Sequence, residues 1–303
     1  MTTLSAVNAT EGVAESSSRS YAVLFIAVVL AACSIVYELL IAQTLSMLAA
    51  NTVRWYSLSI GFFLVSMGFG AFLYSLLPKE LNRMRLLFWI EIFLSLIGAS
   101  VVAGVHSAHI LYGFLYVRGY DPSAIAAFLL IPLALCSLIG ILSGFEMPLL
   151  MDFAKKQGSE DDANEVLAAD YFGSLVGSVA FPFVLLSYFQ LFEIGLVVST
   201  VNVALSFFLL FYYLKEGKVW WITQIVVLCT LSLGLFHAFV NRDRVQQYFL
   251  QKYYYYLQSA DTLSHLWDGL PDVPEVFSVQ SPYQRIDVVH DKIGSPDDGL
   301  MRL

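Results

Sequence analysis

Four carboxylates stand where acids are seldom found. Glu38, Glu91, Glu146 and Asp170 each lie inside or at the border of a long apolar run, and none of those runs contains a lysine or arginine. An ionised acid facing hydrocarbon costs on the order of 3 kcal/mol at mid-membrane and less near the ends. Such groups are expected to turn toward other helices, to stay neutral, or to hold a cation. Glu91 lies about 8 Å into its run, at 1.5 Å per helical residue. Glu146 and Asp170 lie within about a turn of the same end of theirs, so three acids share one depth while Glu38 lies deeper. A bundle-facing cluster of this kind would attract a polyamine or a proton. The competing reading is structural: the three shallow acids snorkel toward water, and Glu38 is neutral and hydrogen-bonded to a neighbouring helix.

The elements that carry these acids are membrane spans by composition. The 303 residues are 58% hydrophobic and 13% charged, with a mean hydropathy of +0.71, more apolar than a soluble domain of this size requires. Tyr21 to Leu48 is long enough to cross a hydrocarbon core of roughly 30 Å. Six more candidates follow at about Trp55 to Leu77, Leu86 to His106, Ser123 to Leu150, Val166 to Gln190, Ile194 to Leu214 and Val219 to Val240. Gly140 with Gly144 and Gly173 with Gly177 are small-xxx-small pairs suited to close helix contact. The fold expected is an all-α polytopic helical bundle of about seven spans, with a short C-terminal β segment.

Four regions are expected. Residues 1–20, rich in Ser, Thr and Ala, read as a disordered leader; 21–240 form the transmembrane helical domain. Residues 241–270 read as an interfacial amphipathic helix and linker, and 271–303 as the start of a further domain, because VFSVQSPYQRIDVVHD alternates like strand. The aromatic connection HSAHILYGFLYVRGYDPS is expected to lie at an interface or dip into it, and Pro182 to kink the fifth span. The sequence Leu30-Ala31-Ala32-Cys33 imitates a lipoprotein cleavage site, but the apolar run continues past it, so an uncleaved span is expected. Arg19, Lys79, Arg83, Arg85, Lys155, Lys156, Lys215 and Lys218 fall on one side, against Arg54 and Arg118 on the other. That asymmetry puts the N-terminus in the cytoplasm, of a multi-pass protein of the cell membrane, and residues after Val240 on the opposite face.

Other chemistries find little support. A net charge of −8 without a basic patch argues against nucleic acid as a partner. Cys33, Cys136 and Cys229 lack metal or disulfide spacing. His106 and His109, a turn apart, and His237 on the same side are expected to be interfacial histidines rather than metal or haem ligands. No dinucleotide fingerprint, phosphate loop or Ser-His-Asp constellation is present in the sequence.

Several stretches are nonetheless distinctive in their order. IVYELLIAQTLSMLAANT, MPLLM, LAADYFGSLVGS and SPYQRIDVV resemble, in sequence and spacing, the membrane-embedded spermidine synthase-like proteins, polyamine aminopropyltransferases with a multi-span N-terminal region. The resemblance covers about Ile35 to Val289, and Asp170 stands where that family commonly has Asn. It implies that Gln284, of the YQ pair, lies in the pocket for decarboxylated S-adenosylmethionine, and that the catalytic Asp and nucleotide-binding acids lie downstream of this chain. The chain is then the membrane part of a polyamine-biosynthetic transferase, inactive alone. Its partners would be the lipid bilayer and either a separate soluble synthase-like subunit or further copies of itself, with no cofactor of its own. The alternative function is a membrane transport or cation- and polyamine-binding module.

Overall fold

A computed structural model describes residues 2–49, 51–78, 80–157, 161–214, 217–255, 262–269, 273–280, 285–290 and 301–302. Helices α1 (Thr2–Ala49), α2 (Thr52–Ser75), α3 (Arg83–Val117), α4 (Asp121–Gln157) and α5 (Asp161–Ala180) come first. A π-helical turn, Phe181–Leu185, and the short α6 (Leu186–Tyr188) extend α5. Then come α7 (Leu191–Tyr212), α8 (Lys218–Val240) and α9 (Arg242–Tyr255). Strands β1 (Phe277–Gln280), β2 (Arg285–His290) and β3 (Met301–Arg302) close the described chain in an antiparallel sheet of order β1-β2-β3. Among the described residues, seven helices are long and apolar enough to cross a membrane: Tyr21–Ala49 of α1, then α2, α3, Asp121–Lys155, Ala163–Tyr188, α7 and α8.

The apolar part of α1 is the axis of the bundle. It packs against α2, α3, α4, α5 and α7, and Ile26, Tyr37, Leu40 and Ile41 on it are fully buried. Between apolar helices close approach depends on small residues, and two interfaces show it. A Cβ at Gly144 would strike the Met67 backbone of α2, and one at Gly173 the Val28 backbone of α1. The pairs α2–α4 and α1–α5 are therefore seated backbone to backbone. Gly98 of α3 does the same for a side chain, since the Tyr37 ring lies where its Cβ would stand.

Several expectations are corrected here. α1 begins at Thr2, so its bounds run ahead of the apolar stretch that starts at Tyr21; extending a helix already nucleated by an apolar segment costs little. The aromatic connection after His106 is mostly helix rather than loop. It continues α3 to Val117, and α4 starts at Asp121 after a tight turn at Gly119, whose φ of 77° is in the left-handed region. Nothing before Gly119 breaks a helix, so low hydropathy alone was a poor stop signal. Likewise α4 runs through Pro132 and Pro148 to Gln157, beyond the expected end at Leu150. Pro182, expected to kink the fifth span, sits in a π-helical turn, Phe181–Leu185, through which the helix continues.

Each end of the bundle has its own polar clasp. At the Tyr21 end, Arg83 donates to the Pro78 and Leu81 carbonyls at 3.1 and 3.3 Å, lies 3.6 Å from Asp152, and sits over the Tyr74 ring, whose hydroxyl also reaches Asp152. At the other end Arg242 pairs with Glu193 at 2.6 Å, and Glu193 caps α7 through the Gln190 amide.

Helix α9 is a bracket at that second end, in contact with α3, α7 and α8. Phe249 packs on Phe192 and His106, while Gln247 grips the Val276 backbone by both amide atoms, at 2.8 and 3.1 Å. The Tyr254 hydroxyl donates to Asp287 at 2.8 Å. The β1–β2 pairing, anticipated by the alternating pattern, is thereby tied to the bundle.

Candidate functional site

The functional candidates follow from what α1 presents to its neighbours. Two adjacent stripes, Cys33 with Tyr37 and Ser34 with Glu38, run one turn apart on its buried face. Ser34 meets α4: its hydroxyl lies 2.9 Å from Ser143 Oγ and donates to Glu146 Oε2 at 3.2 Å. Tyr37 meets α7: its hydroxyl lies 3.1 Å from Ser199 Oγ and accepts from Asn202 Nδ2 at 3.4 Å. A hydrogen-bonded polar seam therefore runs through the middle of an otherwise apolar core.

Glu91, Glu146 and Asp170 gather beside this seam. Glu146 is within electrostatic reach of both Glu91 and Asp170, and Cys33 and Tyr37 sense both glutamates. Exposure falls along the row. Asp170 is half-buried on the outer helix α5, Glu146 is 5% exposed, and Glu91 is fully buried. Both Glu91 oxygens and Glu146 Oε1 have no hydrogen-bond partner among the described residues. The nearby Ser95 hydroxyl gives its bond to the Glu91 backbone carbonyl instead, at 2.8 Å. Buried acceptors left this way cost about 1–3 kcal/mol each, more when charged, which makes the row a place where chemistry is stored.

Glu38 stands apart. It is 3% exposed and within electrostatic reach of Cys136 on α4, one turn along α1 from Ser34. Gln284 lies outside the described residues.

The histidines take packing roles. His106 Nδ1 meets its own helix at Val102 O, 2.9 Å away, and its ring lies among Phe192 and Phe249. His109 packs on Tyr112, Phe128 and Tyr253, and Asn241 lies beside His237. Among the described residues no three His, Cys, Asp or Glu side chains are placed to hold a metal ion. Sequence reading missed Ser34, Tyr37, Ser143, Ser199 and Asn202 as members of the site. Their polarity inside apolar runs was the available signal, and Ser143 precedes Glu146 by about one turn.

In class, then, this is a bundle of seven apolar helices with a buried carboxylate row at its core and a β-hairpin bracketed to one end. Comparison with known proteins adds a family likeness. The chain is similar to the polyamine aminopropyltransferase of Oceanobacillus iheyensis, 29% identical over 266 residues, which covers 86% of this chain and 45% of that protein. The polyamine aminopropyltransferase of Leptospira interrogans is 32% identical over 214 residues, covering 69% and 40%. That of Mycobacterium tuberculosis is 31% identical over 233 residues, covering 73% and 41%. The matches thus span less than half the length of these curated relatives. No family model matches the chain, and no solved structure matches it.

Proposed function

We propose that this chain is the membrane region of a spermidine synthase-like aminopropyltransferase, and that it anchors polyamine synthesis at the cell membrane. The observation that carries the reading is the extent of the likeness: 86% of the chain aligns with one polyamine aminopropyltransferase, a stretch long enough to take in most of the helical bundle. The hairpin agrees with it. Phe277 and Val279 on β1 oppose Val288 and Ile286 on β2, giving one apolar face, of which Phe277, Val279 and Ile286 are exposed. A strand pair does not fold stably alone, and this face suits a larger domain laid over it. Gln284, in the link between the two strands, would then contact decarboxylated S-adenosylmethionine, the aminopropyl donor. A soluble synthase-like subunit, or the same domain in continuous chain, would supply the acids that activate the amine.

The reading is tested by assaying membranes that carry this chain with putrescine and decarboxylated S-adenosylmethionine. The chain alone should give no product. Co-expression with the soluble synthase domain of a relative should give product that sediments with the membranes, and Gln284→Ala should reduce it. Product from the chain alone, or a supplied domain that stays soluble and equally active without the chain, would overturn the proposal.

A further inference from the structure

The row Asp170, Glu146, Glu91 brings carboxyl oxygens into the bundle with no lysine or arginine side chain bonded to them among the described residues. Arg83 is engaged with Asp152 and with the carbonyls that close the α2–α3 turn. The three orphaned acceptors, Glu91 Oε1, Glu91 Oε2 and Glu146 Oε1, are unpartnered and belong to side chains at least 95% buried. Ser34 shows how the site treats Glu146: its hydroxyl already donates to Oε2, the bond a charged carboxylate wants. What is missing is a group with one positive charge and several donors.

A shared proton supplies only one donor and leaves two acceptors bare. A metal ion prefers three or more ligating side chains at about 2.4 Å, and among the described residues no such group of His, Cys, Asp or Glu is placed to hold one. A primary ammonium carries one charge and three donors at N···O distances of about 2.9 Å. It matches the orphans in number. The site is also lined by small groups, Cys33, Ser34 and Ser143, and it grades outward to the half-buried Asp170.

We propose that Glu91 and Glu146, reached past Asp170, bind the primary ammonium end of a polyamine inside the helical bundle. The inference rests on the functional reading for the choice of amine and on the orphaned acceptors for the site. The site is separate from any aminopropyl transfer at the hairpin.

The test uses the full chain in detergent micelles with radiolabelled putrescine, and with tetramethylammonium as a cation that has no N–H donors. Putrescine should bind saturably and raise the thermal midpoint, and tetramethylammonium should do neither. Glu91→Gln and Glu146→Gln should each weaken binding about tenfold or more. Glu38→Gln, which changes an equally buried acid outside the row, should leave it within about twofold of the parent. Absence of saturable putrescine binding by the parent overturns the proposal whether or not the variants fold. So does an equal response to tetramethylammonium, a loss in Glu38→Gln as large as in Glu91→Gln, or stabilisation by acid alone with no amine effect. Transfer activity in the supplemented membranes is scored separately, so its loss with putrescine binding intact sinks the functional reading and not the site.

Discussion

Glu146 is held by a relay of two hydroxyls, and that relay fixes what single substitutions should do. Ser34→Ala or Ser143→Ala removes a donor from a buried chain and should destabilise the folded protein by about 1–2 kcal/mol, read as a lower thermal midpoint in detergent. Either change should weaken putrescine binding less than Glu91→Gln does. Outside the bundle, Lys252 on α9 is 1% exposed, and its ammonium has no hydrogen-bond partner among the described residues. Burial pushes this amine below the ordinary lysine value, and Asp268 opposes part of that fall. A lowered value in the folded state means that the unfolded chain binds the extra proton more readily. The docking of α9 should therefore tighten as pH rises through the window just under the ordinary lysine range, and be weakest below it. Lys252→Met should abolish that slope and strengthen docking by about 1 kcal/mol, as measured by the rate of limited proteolysis of the tail against pH. The four acids were visible in the sequence because charge inside an apolar run is conspicuous. Which of them would meet was not visible, since that depends on the rotation of four helices, and Glu38 turned out to face Cys136 rather than the row.

Helix pairing follows from where the backbone is bare. Gly144→Leu and Gly173→Leu each push a side chain into a neighbouring backbone, and each should cost about 3 kcal/mol or prevent assembly. Gly61→Leu, where a Cβ meets open space, should cost no more than about 0.5 kcal/mol; thermal unfolding of the three variants makes the comparison. These glycine pairs were legible as spacing, and the structure uses them as the spacing suggested. The length of α3 and α4 was not. Hydropathy marks the part of a helix suited to lipid, while the helix itself ends only where Gly119 permits a left-handed turn. The bracket is similarly local. Gln247→Ala removes both bonds to Val276 and should loosen the hairpin by about 2 kcal/mol, seen as faster hydrogen exchange at the Val276 amide with exchange in α7 unchanged.

Connectivity sets the arrangement of the whole molecule. Seven long helices in up-and-down succession put Tyr21 and the α8 end at opposite ends of the bundle, and α9 with the hairpin packs at the end that carries Gly119, Gln190 and Glu193. We place the basic-loop end, with Arg83, Lys155 and Lys218, in the cytoplasm. On that proposal the carboxylate row would lie toward the cytoplasmic half, and the hairpin on the far face. A nucleotide donor made in the cytoplasm would have to reach that face for transfer to occur at the hairpin, so sidedness bears on function as well as architecture. The most direct measurement is a pair of reporter fusions, one after Lys79 and one after Val289, each reading which side of the membrane it occupies. A cytoplasmic signal after Lys79 and an outer signal after Val289 are expected; cytoplasmic signals from both would contradict the seven-crossing arrangement.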